Sequence, residues 1–590
     1  MILQELCKYY DRQSANGIEG FPEIGWGPVP VVACLVIDEN GKLLSIRSMM
    51  NTEGKKPVAN RMVVPMQPKR SGSRPAPAFL CDNKGFIFGI YKNSEGASYR
   101  LEASMAIHER ILEGIEDPGA VAILEFLRKR VEGGYGHYGI DTSALEQTGN
   151  LIFELDGDNC YLHERESIRK AWNDYCSAQN EESEKGQCLV SGNESSIARL
   201  HPNFGGFGAN KPTLVGYNQN AFTSYNKVQG MNAPVSEEAA FKYGTALNYL
   251  LAIRKNCLSL RDDKIVFWAE RNAPTEESLV NLFFDPGLYK DLEVSGELVK
   301  LRSLFGELVR GEKPQNIEID DSVIFNVLGV STNKTRMIIR FYYRNSLGDL
   351  IEKVSEHYTD IYIDGNKGDE FPSPYRILRE TVLKRDSNNI VPNSESALVQ
   401  SILNGSAYPF GIYISILNRV RAEAGGDPTK NNGYAISRER AGFIKGFINR
   451  NVRLMNKRRE EMIEMALDEN QRNVGYVLGR LMALLEKAQK DALGKVNAGI
   501  VEKYMNTALA TPQYIFPNLL AQSKNHISKI AKTQHIDTPY IDILIGKVVD
   551  MLPSGGFPPT LGIEDQGRFV VGYYHQNQAL YTKKNEVEEN

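Results

Sequence analysis

Near Pro374 the apolar pattern changes period, and that change limits what this 590-residue chain can fold into. Upstream, short apolar or alternating runs are separated by turn residues, as in sheets. Downstream, apolar side chains recur every three or four residues almost to the end, as on one face of a helix. The expected fold class is α+β: a mixed N-terminal domain with short antiparallel strands over residues 1–368, then an all-α helical bundle over 369–590. A chain of this length exceeds one core and should hold two or three domains.

Local signals fill in the frame. The run Val31–Ile37, the Asn40-Gly41 turn and Leu43–Ile46 predict a β-hairpin. Phe86–Tyr91 reads as a return to a sheet after Asn83-Lys84-Gly85. Residues 98–134 read as two helices divided at Pro118-Gly119, and Leu151–Leu155 with Cys160–Leu162 as a second hairpin. Ser236 is a suitable N-cap for an amphipathic helix. Ile265–Ala269 reads as a buried strand, and Val323–Val330 with Met337–Tyr343 as a strand pair. In the last third, Ile444, Ile448, Val452, Met455 and Met462 mark one helix, Val474 to Ala488 the next, and Pro517 can start another.

Composition narrows the function. A hydrophobic share of 42% and a charged share of 24% are those of a globular protein, with no run of eighteen apolar residues. The first residues lack a basic segment followed by an apolar core, so no secretory signal is expected and the protein reads as cytoplasmic. Seven scattered cysteines, never spaced CxxC, predict buried thiols in a reducing compartment and no zinc site. There is no GxxxxGK[ST], HExxH or GxSxG, so no catalytic residue, metal or cofactor is expected. A nucleic-acid-cleaving enzyme built from residues far apart in sequence is the competing reading.

Two stretches stand out by what they omit. Between Gly54 and Cys81 there are six basic residues, five prolines and no acid, which reads as an extended loop suited to a phosphate backbone or to solvent. From Ser195 to Ser236 there is again no acid, whereas glycines, six asparagines and five aromatics alternate with Arg199, Lys211 and Lys227. Glycine lets backbone approach a ligand, amides bond base edges, and rings offer stacking faces. The same residues also suit an ordinary loop, with Gly and Asn in turns and aromatics in the core.

Longer motifs carry a family likeness. RSGSRPAPAFLCDN at 70–83, SYNKVQGMNAPVSEEAAFKYGTALNYLL at 224–251, IVFWAE at 265–270 and FNVLGVSTNKTRMIIRF at 325–341 are among them, with PYRILRETV at 374–382. ILNGSAYP, YVLGRLMALLEKAQKDA, FPNLL and EDQGRFVVGYYHQNQALYTKK extend the series to the C-terminal part. In these the chain resembles the large subunit of the CRISPR–Cas subtype I-C Cascade surveillance complex. It departs at Asn210–Thr213, in place of a Ser/Gly-type run, and at Thr332, in place of proline.

The resemblance implies a non-catalytic, DNA-binding subunit of a guide-RNA complex for antiviral defence. It would recognise the protospacer-adjacent motif in double-stranded DNA, promote R-loop formation and help recruit a helicase–nuclease. Its implied partners are guide RNA, the target duplex and displaced strand, and the backbone, guide-processing and small subunits. On this basis Gly205, Gly206, Asn210, Asn218 and Asn220 are expected as groove readers, and Gln229 and Asn232 as wedge or reader groups. Lys69, Arg70, Arg74, Lys211 and Lys227 are expected as backbone clamps. Arg450, Arg453, Lys457, Arg458, Arg459, Lys524, Lys529 and Lys532 would follow single-stranded DNA. Residues from about 455 to 590 resemble the small subunit, with Met455, Met462 and Met465 as candidate starts of an internal product.

Overall fold

The apolar run expected as half of a hairpin is the central strand of a sheet. A computed structural model of the chain describes residues 1–51, 58–68, 70, 74–91, 94–133, 143–182, 184–217, 219–260, 263–284, 306–307, 319–365, 371–424, 436–455, 461–494 and 499–588. Two compact units result, Met1–Tyr249 and Leu250–Asn590.

In the first unit, helix α1 (Ile2–Ala15) precedes strands β1 (Trp26–Ile37), β2 (Leu43–Ser48), β3 (Met50–Asn51) and β4 (Val58–Pro65). Strands β5 (Asp82–Asn83) and β6 (Asn150–Leu155) complete a six-stranded sheet. The Asn40-Gly41 turn forms as expected, with Gly41 left-handed at φ 69°. β4 pairs antiparallel with the first half of β1 and β2 with the second, whereas β6 runs parallel along the other edge. The parallel pair departs from the expected antiparallel pattern. Its cause is in β1, whose residues 31–37 bury side chains on both faces: Val32, Ala33 and Leu35 face one core, Val31 and Cys34 another.

Helices α2 (Lys84–Phe88), α3 (Ser94–Leu112), α4 (Pro118–Val131) and α5 (Glu166–Glu182) cover this sheet. Asn83 accepts from Gly85 N and caps α2, so Phe86–Phe88 is helical and not the expected strand. Asp117 caps α4 ahead of Pro118, which divides the two expected helices. A two-stranded ribbon, β7 (Lys185–Gln187) and β8 (Glu194–Ser196), leads to α6 (Glu237–Ala252), where Ser236 Oγ accepts from Ala239 N.

The second unit opens with an antiparallel sheet of β9 (Cys257–Ser259), β10 (Asp263–Ala269), β11 (Ile324–Asn333) and β12 (Arg336–Ser346), with α7 (Pro274–Phe284) between β10 and β11. Helices then follow to the end: α8 (Leu347–Ile361), α9 (Pro374–Arg379), α10 (Ser394–Asn404), α11 (Phe410–Glu423), α12 (Arg438–Leu454) and α13 (Val474–Leu493). The last are α14 (Ile500–Ala510), α15 (Pro512–Gln534), α16 (Tyr540–Val549) and α17 (Ile563–Glu588). The fold class is thus α+β. The division does not fall at residue 368, because Phe267 and Phe325 of the sheet share one core with Tyr413, Leu481 and Phe569 of the helices. Pro517 lies inside α15, which starts at Pro512. Among the described residues no helix is long and apolar enough to cross a membrane.

Glycines set the spacing of the last helices. A Cβ on Gly475, Gly479 or Gly572 would collide with the carbonyl oxygen of Asp565, Phe569 or Tyr476, so α13 and α17 meet backbone to backbone. Gly546, in α16, has open space around the same position. We expect Gly479→Ala to cost about 1–3 kcal/mol through overpacking. Gly546→Ala should instead gain about 0.5–1 kcal/mol from lower backbone entropy in the unfolded chain. Calorimetric unfolding of the two variants checks this, and equal shifts would contradict the close helix contact.

Candidate nucleic-acid interface

The acid-free stretch leaves the first unit and returns to it at one neck. Ala198 N donates to Val235 O at 2.9 Å, Ile197 bridges to Ser236, and Leu189 N donates to Pro234 O at 2.8 Å. Gly230 fits only because it has no side chain, since a Cβ there would strike the Ala198 carbonyl oxygen. Cys188 lies beside the neck, its sulfur accepting from Ser236 N at 3.2 Å. Burial works to raise this thiol's pKa, but hydrogen bonds from Ser236 and Ser191 outweigh it and bring it down to about 7.

Helix α6 holds the base of the excursion. His201 is buried with Nδ1 2.7 Å from the Tyr243 hydroxyl, and Phe204 is fully buried against the same ring. Gly244 leaves room for Pro202. Asn248 donates to the carbonyls of Asn203 and Gly244, each at 3.0 Å, and accepts from Gly205 N at 3.0 Å. Two of the aromatics and glycines therefore serve the core and turns. Asn248 lies beyond the acid-free part of the stretch, on the helix after Ser236, and the sequence reading gave it no role.

Beyond that base the segment faces solvent. Asn203 and Thr213 bridge to form a short hairpin whose tip runs from Phe207 to Asn210, with Gly206 and Gly208 left-handed. Gly205, Gly206, Asn210, Lys211, Asn220 and Lys227 are exposed. Among the described residues, the side chains of Asn210, Lys211, Asn220 and Lys227 have no hydrogen-bond or ion-pair partner. Gln229 accepts from Arg199 Nη1 at 2.8 Å through its side-chain oxygen. Asn218 lies outside the described residues.

Asn232 departs from its expected role as a reader. Its amide accepts from Ser224 N at 2.8 Å and donates to Lys227 O at 2.8 Å and Gln229 O at 2.9 Å, so it staples one loop turn. Inside that turn Tyr225 is 96% exposed, with φ 52°.

The other basic candidates divide by burial. Arg70 is tied inward, with Nη2 2.5 Å from Asp82, Nε donating to Ala76 O at 2.8 Å and its guanidinium 4.4 Å from the Phe86 ring centre. Burial pushes the Asp82 carboxyl up while Arg70 pulls it down, so this cation is needed where it is and is not an open clamp. Arg74 is exposed, 5.6 Å over Tyr99. Lys69, Lys457, Arg458 and Arg459 lie outside the described residues.

Arg450 corrects the helical reading more sharply. Its side chain is fully buried, Nε 2.9 Å from Asp360 Oδ2 and the guanidinium 3.9 Å over Tyr408. Arg453 grips the same carboxylate in a fork, at 2.7 and 2.9 Å. Lys445 is buried too, donating to the last carbonyls of α8 at Thr359 and Asp360, and burial lowers its pKa to about 8. Arg450 and Lys445 thus belong to an interior ion cluster and are not open to DNA, whereas Arg453, though paired with the same carboxylate, is 38% exposed. By contrast, Lys524, Lys529 and Lys532 on α15 are exposed and unpaired among the described residues.

Among the described residues no group of three or more His, Cys, Asp or Glu could hold a metal ion. The excursion is exposed and free of acidic residues, on a protein of the CRISPR-associated class. Residues 6–581 match the family described as CRISPR-associated protein (Cas_Csd1), and the chain belongs to that family. No curated protein matches it.

Asp360→Asn would remove the charge between two arginines and leave Arg450 buried without its counter-ion. The expected loss is about 3–5 kcal/mol. Urea unfolding checks it, and a loss under about 1 kcal/mol would show that the cluster does not depend on this carboxylate.

Proposed function

We propose that this chain is the non-catalytic large subunit of a subtype I-C Cascade-type surveillance complex. It recognises the protospacer-adjacent motif in duplex DNA, promotes unwinding and R-loop formation, and helps recruit a helicase–nuclease. Guide RNA and the other Cascade subunits are its partners in this reading. The observation that carries it is the excursion between Ala198 and Val235, anchored at its base yet presenting free amides and lysines without one acid. Family membership supplies the setting.

Within this reading Asn210, Asn220 and Gln229 face base edges, while Lys211, Lys227 and Arg74 neutralise phosphates. The exposed lysines of α15 follow the displaced strand. The test is binding of the guide-loaded complex to a target library with randomised flanking bases. Wild type should enrich one short flank sequence, and Asn210→Ala or Asn220→Ala should relax it by about 1–3 kcal/mol per lost base contact. A flank preference absent from the wild type, or cleavage of labelled duplex by the purified chain with divalent metal alone, would overturn the proposal.

The helical end has a second part in the same reading, as the source of a small subunit started at Met455, Met462 or Met465. Helices α13 and α17 supply each other's closest contact, and both lie after those methionines. Mass spectrometry of complex purified from the intact gene should detect a product beginning at one of the three. Its absence would remove this part of the proposal.

A further inference from the structure

Tyr225 is the most exposed large hydrophobic or aromatic residue among those described, at 96%. It also sits where a tyrosine is disfavoured. Tyr225 at φ 52° and Asn226 at φ 58° are successive left-handed residues, and Lys227 N donates to Ser224 O at 3.0 Å across them. Such a turn ordinarily takes Asn-Gly at its two central positions. Burial of the ring cannot be what repays this conformation, since nearly all of the side chain is in water.

What holds the turn is the Asn232 amide, whose three bonds reach the first residue of the turn, its last residue and Gln229. Gln229 is itself left-handed and bonded to Arg199, and Gly230 is locked against Ala198 at the neck. The chain thus spends a polar network on keeping an aromatic ring outside. A ring fixed in advance loses little freedom when it meets a flat partner.

The surroundings choose the partner. Lys227 and Asn226 flank the ring, both exposed, and no acid occurs from Ser195 to Ser236. An aromatic face beside a lysine in an acid-free segment suits a nucleobase on a phosphate chain, because every base has a π-face and the backbone is anionic. We infer that Tyr225 is a stacking group that lies against an unpaired base where a duplex opens, and that Asn232 is a positioning residue that sets the ring without touching DNA. This rests on the DNA-reading role proposed above. It assigns the wedge to the ring and takes it from the two amides of Gln229 and Asn232.

The full-length chain can be titrated with a forked DNA duplex carrying 2-aminopurine at the junction. Wild type should bind the fork, change the probe's fluorescence and lose affinity steeply with salt. Tyr225→Ala should weaken fork binding about tenfold and abolish the fluorescence change. Its salt slope should stay that of wild type, because no charge is removed. Tyr225→Trp should keep both signals. Lys227→Ala should instead lower the slope by about one unit and keep the fluorescence change. Asn232→Ala should reproduce Tyr225→Ala, and the double variant should add nothing. Because residue 225 is on the surface, the alanine variant should keep the wild-type unfolding midpoint.

Wild-type affinity and fluorescence in Tyr225→Ala, alongside a reduced slope in Lys227→Ala, would overturn this inference and leave the DNA-reading role standing. No salt-dependent fork binding by wild type would overturn both. If Tyr225→Ala spares the DNA signals but lowers recovery of the chain with other subunits, the ring belongs to a protein interface and the inference fails.

Discussion

Close approach of helix backbones governs what the second unit can display. Gly442 and Gly446 let α12 settle onto the end of α8, where a Cβ would meet Ile361 and Asp360. At that separation Lys445 and Arg450 of α12 are held inside. Lys445 meets the last carbonyls of α8, and Arg450 meets the Asp360 carboxylate. Removing these two cations from water is tolerated because each has found an oxygen partner. His357 adds to the picture: buried, 2.6 Å from the Tyr408 hydroxyl through Nδ1, its basicity is driven well down by burial and by Arg450. The interior therefore collects basic residues that composition alone would assign to a DNA-binding face.

The first unit uses the opposite strategy. There a long segment is kept outside, and only its ends and a few side chains are spent on holding it. His201, Phe204 and Pro202 secure one limb on α6, and Gly230 and Asn232 secure the other. The residues between them carry amides and lysines with no internal duties among the described residues.

Periodic signals were legible in the sequence, and pairwise ones were not. Long amphipathic helices, the Asn40-Gly41 turn, the helix division at Pro118-Gly119 and the Ser236 cap all follow from local chemistry, and they stand where the residues place them. The parallel partner of β1 lies over a hundred residues away in sequence and leaves no local trace. Helix α2 was hidden because Phe86–Phe88 is equally apolar as helix or strand, and only the Asn83 cap decides. Helix α5 was not read from the sequence. For the site, exposure of the glycine- and asparagine-rich segment agrees with its composition. The fate of individual charges does not follow from composition, because Arg70 and Arg450 differ from Arg74 only in which carboxylates the fold brings near them.

The topology of the first sheet also has a consequence for biosynthesis. β1 receives β2 and β4 on one side within residues 43–65, but its other side waits for β6 at residues 150–155. During synthesis the stretch Val31–Ile37 therefore emerges as an uncovered, strongly apolar strand border well before its mate is made. Unpaired borders of this sort are templates for association between nascent chains. Polypeptides cut short before residue 155 would keep that border open, so ribosome pausing in the helical crossover, more than pausing in the late helices, should decide how much of the chain escapes aggregation.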